Sequence, residues 1–549
     1  MSYNGSLPVS DYWSGYVAQA QLPSTPRLAL LALLNIPIFA ILLNVLWQLI
    51  PSRDRSAPPV VFHWIPILGS AVAYGDDPLK FFFQNREKYG DVFTFILLGR
   101  RVTVALGAKG NNFVLGGRST NLSAEDAYTH LTTPVFGKDV VYDCPNDVFM
   151  EQKKFVKVGL STDNLRAYVG MIEDEVEEFL KNDSAFAVYQ NNNINEWGKF
   201  DSMDILSQIT ILTASRTLQG KEVRSGLDKS FSDLYNDLDG GFTPINFLFP
   251  HLPLESYRKR DRAQTKMSNF YVDILQKRKN GSDDHEHDMM AALLNQKYRD
   301  GRLLRDHEIA HILIALLMAG QHTSSASGSW AMLHLAANPD VVEALYQEQI
   351  KHFATPDGNL RSMTYEELRQ LPILDSVIRE TLRMHPPIHS IFRKVRSDIA
   401  VPATLSAPSK DGTYVVPAGH YVLACPAVSQ ADPSIWKEPT KWDPTRWSDP
   451  EGVAAQAYKQ DADDTEKIDY GFGAVGKGTE SPYQPFGAGK HRCIGEQFAY
   501  LQLGTIITTI IRRVELRLEG DKFPAHNYHT MITTPKKPRN ILYRRREFD

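Results

Sequence analysis

One loop constrains everything around it: Pro485-Phe486-Gly487-Ala488-Gly489-Lys490-His491-Arg492-Cys493-Ile494-Gly495. Its three glycines let the backbone turn tightly and lie close against something flat. Three cationic or titratable side chains precede the cysteine, and an apolar, helix-like run from Phe498 to Ile507 follows it. Cationic neighbours and a helix start both favour a thiolate over a thiol. A thiolate is a soft ligand that can bind a metal from one side. The plain alternative is a buried cysteine after a turn. A zinc site on His491 and Cys493 fails for want of further ligands nearby.

The other cysteines, Cys144 and Cys425, each precede a proline in apolar surroundings and are expected to be ordinary buried thiols. Three cysteines are too few for a disulfide framework and fit a reducing compartment. With 60 basic against 64 acidic residues, the chain has no basic footprint for nucleic acid, so no nucleic-acid partner is expected. Its 549 residues, 43% of them hydrophobic, suffice for a large core.

From Leu28 to Ile50 no residue is charged. As a helix that run spans roughly 34 Å, enough for a hydrocarbon core of about 30 Å. The expectation is a retained single membrane span at about 28–50, kinked at Pro37, within an N-terminal region 1–56 that also holds a lumenal segment and a linker. A buried core helix is the alternative. Arg53 and Arg55 beyond the run, against Arg27 before it, point the C-terminal bulk into the cytoplasm, with Trp13 and Tyr16 as lumenal interfacial anchors. Of the sequons at Asn4, Asn121, Asn182 and Asn280, only Asn4 would then be lumenal. Residues 57–549 read as one catalytic domain.

Within it, Val92–Leu98 and Arg101–Leu106 have strand composition, and most of Leu160 to Arg396 reads as helix. Residues 280–288 form a polar break whose His285 and His287 fit a solvated loop better than a metal site, and 455–482 reads as an insertion. A long apolar helix is expected over His311–Ala337, capped by Asp306 and stopped before Pro339. Its middle, Ala319-Gly320-Gln321-His322-Thr323-Ser324-Ser325, is an odd choice for a helix core. Glycine costs about 1 kcal/mol there, and hydroxyls compete with the backbone's own bonds. A widening at Gly320 would make room for a small ligand beside the Thr323 hydroxyl; a polar helix packed on others is the alternative. Glu380 and Arg383 share a helix face, with Thr364 and Glu367 as the capping box of that helix and His385-Pro386-Pro387 as its end.

The spacing of Phe486, Gly489, Cys493 and Gly495 resembles the haem-ligand loop of the cytochrome P450 family. The resemblance implies a mainly α fold with a small β region, the P450 fold, behind a single N-terminal transmembrane helix. It implies haem b with Cys493 as axial ligand to the iron, and Phe486 and Gly487 against the cofactor. Ala319-Gly320-x-x-Thr323 is similar to the family's oxygen-binding groove, where most members place an acid before the threonine. Here it is His322, so an imidazole–alcohol pair, His322 and Thr323, is expected to pass protons. Glu380, Arg383 and Arg446 resemble the family's structural ion-pair triad. Arg393, His491 and Lys153 are the implied partners of the haem propionates, with Tyr128 and Tyr142 as phenol donors.

Several loops look like those of the sterol 14α-demethylase branch, fungal type: Glu125–Tyr128, Phe136–Pro145, Phe242–Phe247, Gly320–Ser324, and Asp469–Gly473 leading into Ser481-Pro482-Tyr483. That likeness implies three O2-dependent oxidations removing the 14α-methyl of lanosterol or eburicol as formate, in ergosterol biosynthesis at the endoplasmic reticulum membrane. Electrons would come from NADPH through NADPH–cytochrome P450 reductase, docked on Lys154, Lys157 and Lys490. The implied substrate contacts are Tyr128, Leu131, Thr132, Phe136, Tyr142, Phe242, Ala319, Gly320, Ile388, Ile391 and Met531. Azole inhibitors would coordinate the same iron. Two alternatives stay open: another membrane P450 acting on a different sterol or lipid, and a non-catalytic haem-binding sterol carrier or sensor.

Overall fold

The Asp306–Ala337 helix is the element the others are built on. It is buried along most of its length, and helices Ser202–Ala214, Glu255–Asn280, Pro372–Met384 and Glu496–Arg513 pack on it. A helix apolar on every side belongs in a core. The computed structural model describes residues 25–50, 54–191, 193–227, 229–243, 246, 249–250, 252–281, 288–462, 467–469, 474–476 and 478–547. The expected sites at Asn4, Trp13, Tyr16, Arg53, Pro244, Ile245, Phe247, His285, His287 and Tyr470–Gly473 lie outside the described residues.

Two helix starts differ from expectation. Asp306 is the first residue of the central helix, not its cap; the cap is Arg305, whose backbone N–H donates to the Glu308 carboxylate at 2.7 Å. The Thr364–Glu367 capping box opens the short helix Tyr365–Leu368, while Pro372 begins the helix that carries Glu380. Proline suits a first turn, where its missing N–H is no loss.

A five-stranded sheet stands beside the helices, in the order Val92–Leu97, Arg100–Ala105, Tyr421–Ala424, Ile391–Val395, Leu122–Ser123. Arg100–Ala105 runs parallel to Tyr421–Ala424, and the other pairs are antiparallel. The expected first hairpin is therefore present. On the far side of Tyr421–Ala424, strand Ile391–Val395 brings Ile391 and Arg393 to the cavity described below.

The N-terminal helix runs Thr25–Leu49 with Pro37 inside it. Asn44 and Gln48 donate from their side-chain amides to the His63 carbonyl, at 2.8 and 2.7 Å, and the His63 N–H donates back to Gln48 at 3.0 Å. Ile36, Phe39, Leu43 and Trp47 are exposed on this helix, as are Trp64 and Ile67 on the segment it meets. Among the described residues, no helix is long and apolar enough to cross a membrane.

Cys425 is fully buried, as expected, but Cys144 is only half-buried. Burial pushes both thiols up to about 12. The stretch read as an insertion holds the helix Val453–Ala462 and the paired strands Lys467–Asp469 and Ala474–Gly476. At its base the rings of Trp447 and Tyr483 meet edge to face, 4.8 Å apart.

Candidate active site

The cysteine loop is held by its own backbone. Gly487 and Gly489 are left-handed (φ +68° and +69°), and a Cβ on Gly489 would fall 2.1 Å from the Leu115 carbonyl oxygen. The Cys493 N–H donates to the Phe486 carbonyl at 3.0 Å. Lys153, buried on the Asn146–Gly159 helix, donates from Nζ to the carbonyls of Lys490 and Arg492 at 3.1 and 2.9 Å. Lys153 therefore clamps the loop instead of lining the cavity, and burial draws its ammonium down to about 8.

The thiolate expectation needs correcting in sign. The Gly495 N–H lies 3.3 Å from Cys493 Sγ, and Lys153 and Arg492 add positive charge. Desolvation outweighs them, so the thiol is raised above its ordinary value. A metal at Sγ supplies the charge that deprotonates such a group.

Above Sγ opens a cavity of about 600 Å³. Of the residues expected at it, Tyr128, Tyr142, Ala319, Gly320, Thr323, Ile388, Ile391, Arg393, Phe486, Gly487, His491 and Met531 line it. Leu131, Thr132, Phe136, Phe242 and His322 do not. Leu131 and Thr132 are buried within the Glu125–Phe136 helix, and the Phe136 ring turns to Phe242, 5.4 Å away. Tyr74, Leu316, His389, Ser390 and Tyr528 line the cavity without having been anticipated. Leu316 lies one turn before Ala319 and His389-Ser390 between Ile388 and Ile391, while Tyr74 and Tyr528 sit in segments with no motif of their own, which only the folded chain gathers.

The central helix passes Gly320 unbroken, so the expected widening is absent. A Cβ there would meet only Leu218, at 3.5 Å, so the room comes from the missing side chain alone. Thr323 faces the cavity with its hydroxyl donating to the Ala319 carbonyl at 2.7 Å. His322 points elsewhere: Nε2 lies 2.7 Å from the Tyr235 hydroxyl and 3.1 Å from the Asp239 carboxylate. Successive helix residues do not share a face, so the imidazole–alcohol pair is not formed.

Below the floor, the triad is assembled. Arg383 grips Glu380 with both nitrogens, at 2.9 and 2.8 Å, and both side chains are fully buried. Arg446 Nε donates to the same carboxylate at 2.9 Å, Trp447 Nε1 at 3.0 Å and the Asp443 N–H at 3.1 Å. Arg383 also donates to the Gln430 carbonyl at 2.8 Å.

The wall residues fit a flat macrocycle with acidic arms. His491 Nδ1 is buried without a partner, and burial together with Arg393 and Lys153 draws this imidazole down to about 2, so the ring is neutral. Arg393 is buried in the same wall. The Tyr128 oxygen accepts the Phe392 N–H at 2.9 Å, leaving its own proton to donate, and its ring stacks on Tyr142 at 5.5 Å. Among the described residues, no cluster of histidine, cysteine and carboxylates could hold a bare metal ion. Haem would ask this chain for one thiolate ligand to its iron, and Cys493 at the cavity would supply it.

Known proteins are similar to this chain in sequence. A family model described as cytochrome P450 matches residues 58–543. Lanosterol 14-alpha demethylase of Mycosarcoma maydis is 56% identical over 518 residues, 92% of this chain and 91% of that protein. Lanosterol 14-alpha demethylase of Candida tropicalis is 46% identical over 93% of this chain and 94% of its own length. Sterol 14-alpha demethylase of Aspergillus fumigatus is 48% identical over 95% and 98%. Among solved structures, a retinoic acid-bound cyanobacterial CYP120A1 superposes with a TM-score of 0.71 at 21% identity, covering 90% of this chain and all of that one.

Proposed function

This chain belongs to the cytochrome P450 family, and from that premise we propose that it is a sterol 14α-demethylase of the fungal type. The observation that carries the reading is Cys493 beneath an apolar cavity, in a chain 46–56% identical over most of its length to fungal proteins of that name. Family membership implies haem-thiolate chemistry with O2 and a reductant. The finer proposal is haem b, with NADPH as the electron source and NADPH–cytochrome P450 reductase as the partner. Lys154, Lys157 and Lys490 are the proposed docking cations.

The chemistry that bound haem would supply is activation of O2 with two electrons and two protons per cycle, and three cycles would take the 14α-methyl group through alcohol and aldehyde to formate. This chain's residues hold and orient. Arg393, His491, Tyr128 and Tyr142 would receive the acidic arms of the cofactor. Ile388, Ile391, Ala319 and Met531 form an apolar wall suited to a rigid sterol. Thr323 offers a hydroxyl on the cavity side of the central helix, and the missing Gly320 side chain leaves space beside it. Azoles are proposed to bind in the same place. The charge-free run from Leu28 and the exposed apolar residues on either side of His63 support a single-pass anchor in the endoplasmic reticulum, with the catalytic domain cytoplasmic.

The test is a carbon-monoxide difference spectrum of the reduced protein, followed by product analysis with lanosterol and eburicol in the presence of NADPH and reductase. A thiolate-type Soret band and formate release are expected, and Cys493→Ala should abolish both. Haem binding without formate from either sterol would sink the demethylase reading.

A further inference from the structure

The bend 137–143, which follows the Glu125–Phe136 helix and carries Tyr142 to the cavity wall, departs from ordinary backbone three times. Gly137, Asp139 and Val141 have φ of +107°, +66° and +54°. Glycine accepts this region freely and aspartate tolerates it, but a β-branched valine there is an outlier. Such a residue persists only where its surroundings over-determine it.

One carboxylate holds the bend closed. Asp143 accepts the Asp139 N–H on Oδ2 at 2.9 Å and the Thr133 hydroxyl on Oδ1 at 3.0 Å. Its own N–H donates to the Val140 carbonyl at 3.0 Å. Asp139 is tied from outside as well: Gln152 donates to its carbonyl at 2.8 Å, and Arg305 and His307 reach its carboxylate at 3.0 Å. Between the two aspartates sits Tyr142. Its carbonyl lies 2.6 Å from the Thr129 hydroxyl, and its ring stacks on Tyr128 and faces the cavity. Asp143 itself is not part of the cavity wall.

We infer that Asp143 is a positioning residue: its carboxylate keeps Asp139 and Val141 left-handed and so aims the Tyr142 ring at the ligand of the cavity. The inference rests on the reading of that cavity as a sterol site above haem. Asparagine keeps both bonds, because its oxygen accepts the Asp139 N–H and its amide donates to the Thr133 hydroxyl. Alanine loses both.

The experiment is a lanosterol titration of the holoenzyme, followed by the shift of its haem absorbance. Asp143→Ala should weaken lanosterol by about tenfold, the scale on which one left-handed residue is disfavoured. Asp143→Asn should stay within about twofold. In a Tyr142→Ala background, Asp143→Ala should weaken binding by less than about twofold, because the two act through one ring. Adding Val141→Gly to Asp143→Ala removes the steric objection at that residue and should restore most of the affinity. If Asp143→Ala does not yield holoenzyme, the Asp143→Ala, Val141→Gly protein carries the test. Its binding near the original affinity supports the inference, and its failure to bind overturns it. The inference is also overturned if Asp143→Asn is as weak as Asp143→Ala, or if the loss is undiminished without the Tyr142 ring. Failure of the unaltered holoenzyme to respond to lanosterol would instead strike the reading of the cavity.

Discussion

The floor beneath Cys493 and the wall above it are built by opposite means. Below, charge is matched bond for bond: Glu380 accepts from Arg383, Arg446, Trp447 and the Asp443 backbone, and Lys153 holds two carbonyls of the cysteine loop. Above, mostly apolar side chains, with a few hydroxyls and the polar Arg393 and His491, enclose a space. Directional bonds fix the position of Cys493, while a loosely directional wall leaves room for a large hydrocarbon to settle. The floor should therefore fail abruptly when cut, and the wall by degrees.

The largest expected effect is at the floor. Glu380→Ala strands a fully buried Arg383 and should cost roughly 3–5 kcal/mol. The expected outcome is protein without haem and an early thermal transition, and a variant that kept both would break the comparison. Next comes acid. His334, His385 and His526 form a chain of 2.7 Å contacts at the joint between floor and wall, with His526 stacked on the cavity residue Tyr528. Burial draws His334 down to about 3 and His526 to about 4, below the ordinary value of 6.5. The unfolded chain thus takes up protons first, so their contribution is complete above pH 6.5 and is lost as pH falls toward 4. Urea unfolding at pH 7 and pH 5 should differ by on the order of 3 kcal/mol in this direction; equal stabilities would contradict the burial of the chain.

Lys153→Ala should be milder, about 1–3 kcal/mol, because it frees two carbonyls without stranding a charge. It is expected to shift part of the carbon-monoxide Soret band away from the thiolate position while haem is retained. The smallest effect separates lining from near-lining. Phe136→Leu should change lanosterol affinity by less than about twofold, since its ring faces Phe242 and not the cavity, at a stability loss near 1 kcal/mol. Ile391→Ala, in the wall itself, should do more to affinity in the same titration.

The same division decides what could be read from the chain. The cysteine loop, Glu380 with Arg383, and the hairpin before Leu106 are local patterns, and the folded chain has each of them. Arg446 was legible through its place in a motif. The wall was half legible: Tyr128, Tyr142 and Ile391 fell where expected, but Tyr74 and Tyr528 come from distant segments that only tertiary packing joins. Lys153 and His322 take their expected roles from the family resemblance. One was diverted to backbone carbonyls, and the other lies on the wrong side of its helix from Thr323. The sign of the Cys493 shift was missed because desolvation depends on what surrounds a group in space, which no run of adjacent cations reveals.

The ring contact between Trp447 and Tyr483 has a polymer consequence. The chain departs after Trp447 and returns at Tyr483, the helix Val453–Ala462 packing Ala454 and Ala457 back on Trp436 and Tyr483, and both ends are fastened: Trp447 to Glu380, and Gln484 through its N–H to Gln430 at 2.9 Å. With its ends fixed, a tethered loop can lengthen cheaply, since doubling it adds only about 0.6 kcal/mol of closure entropy. The stretch between Trp447 and Tyr483 is thus a place where this chain can absorb insertions and deletions without moving Cys493.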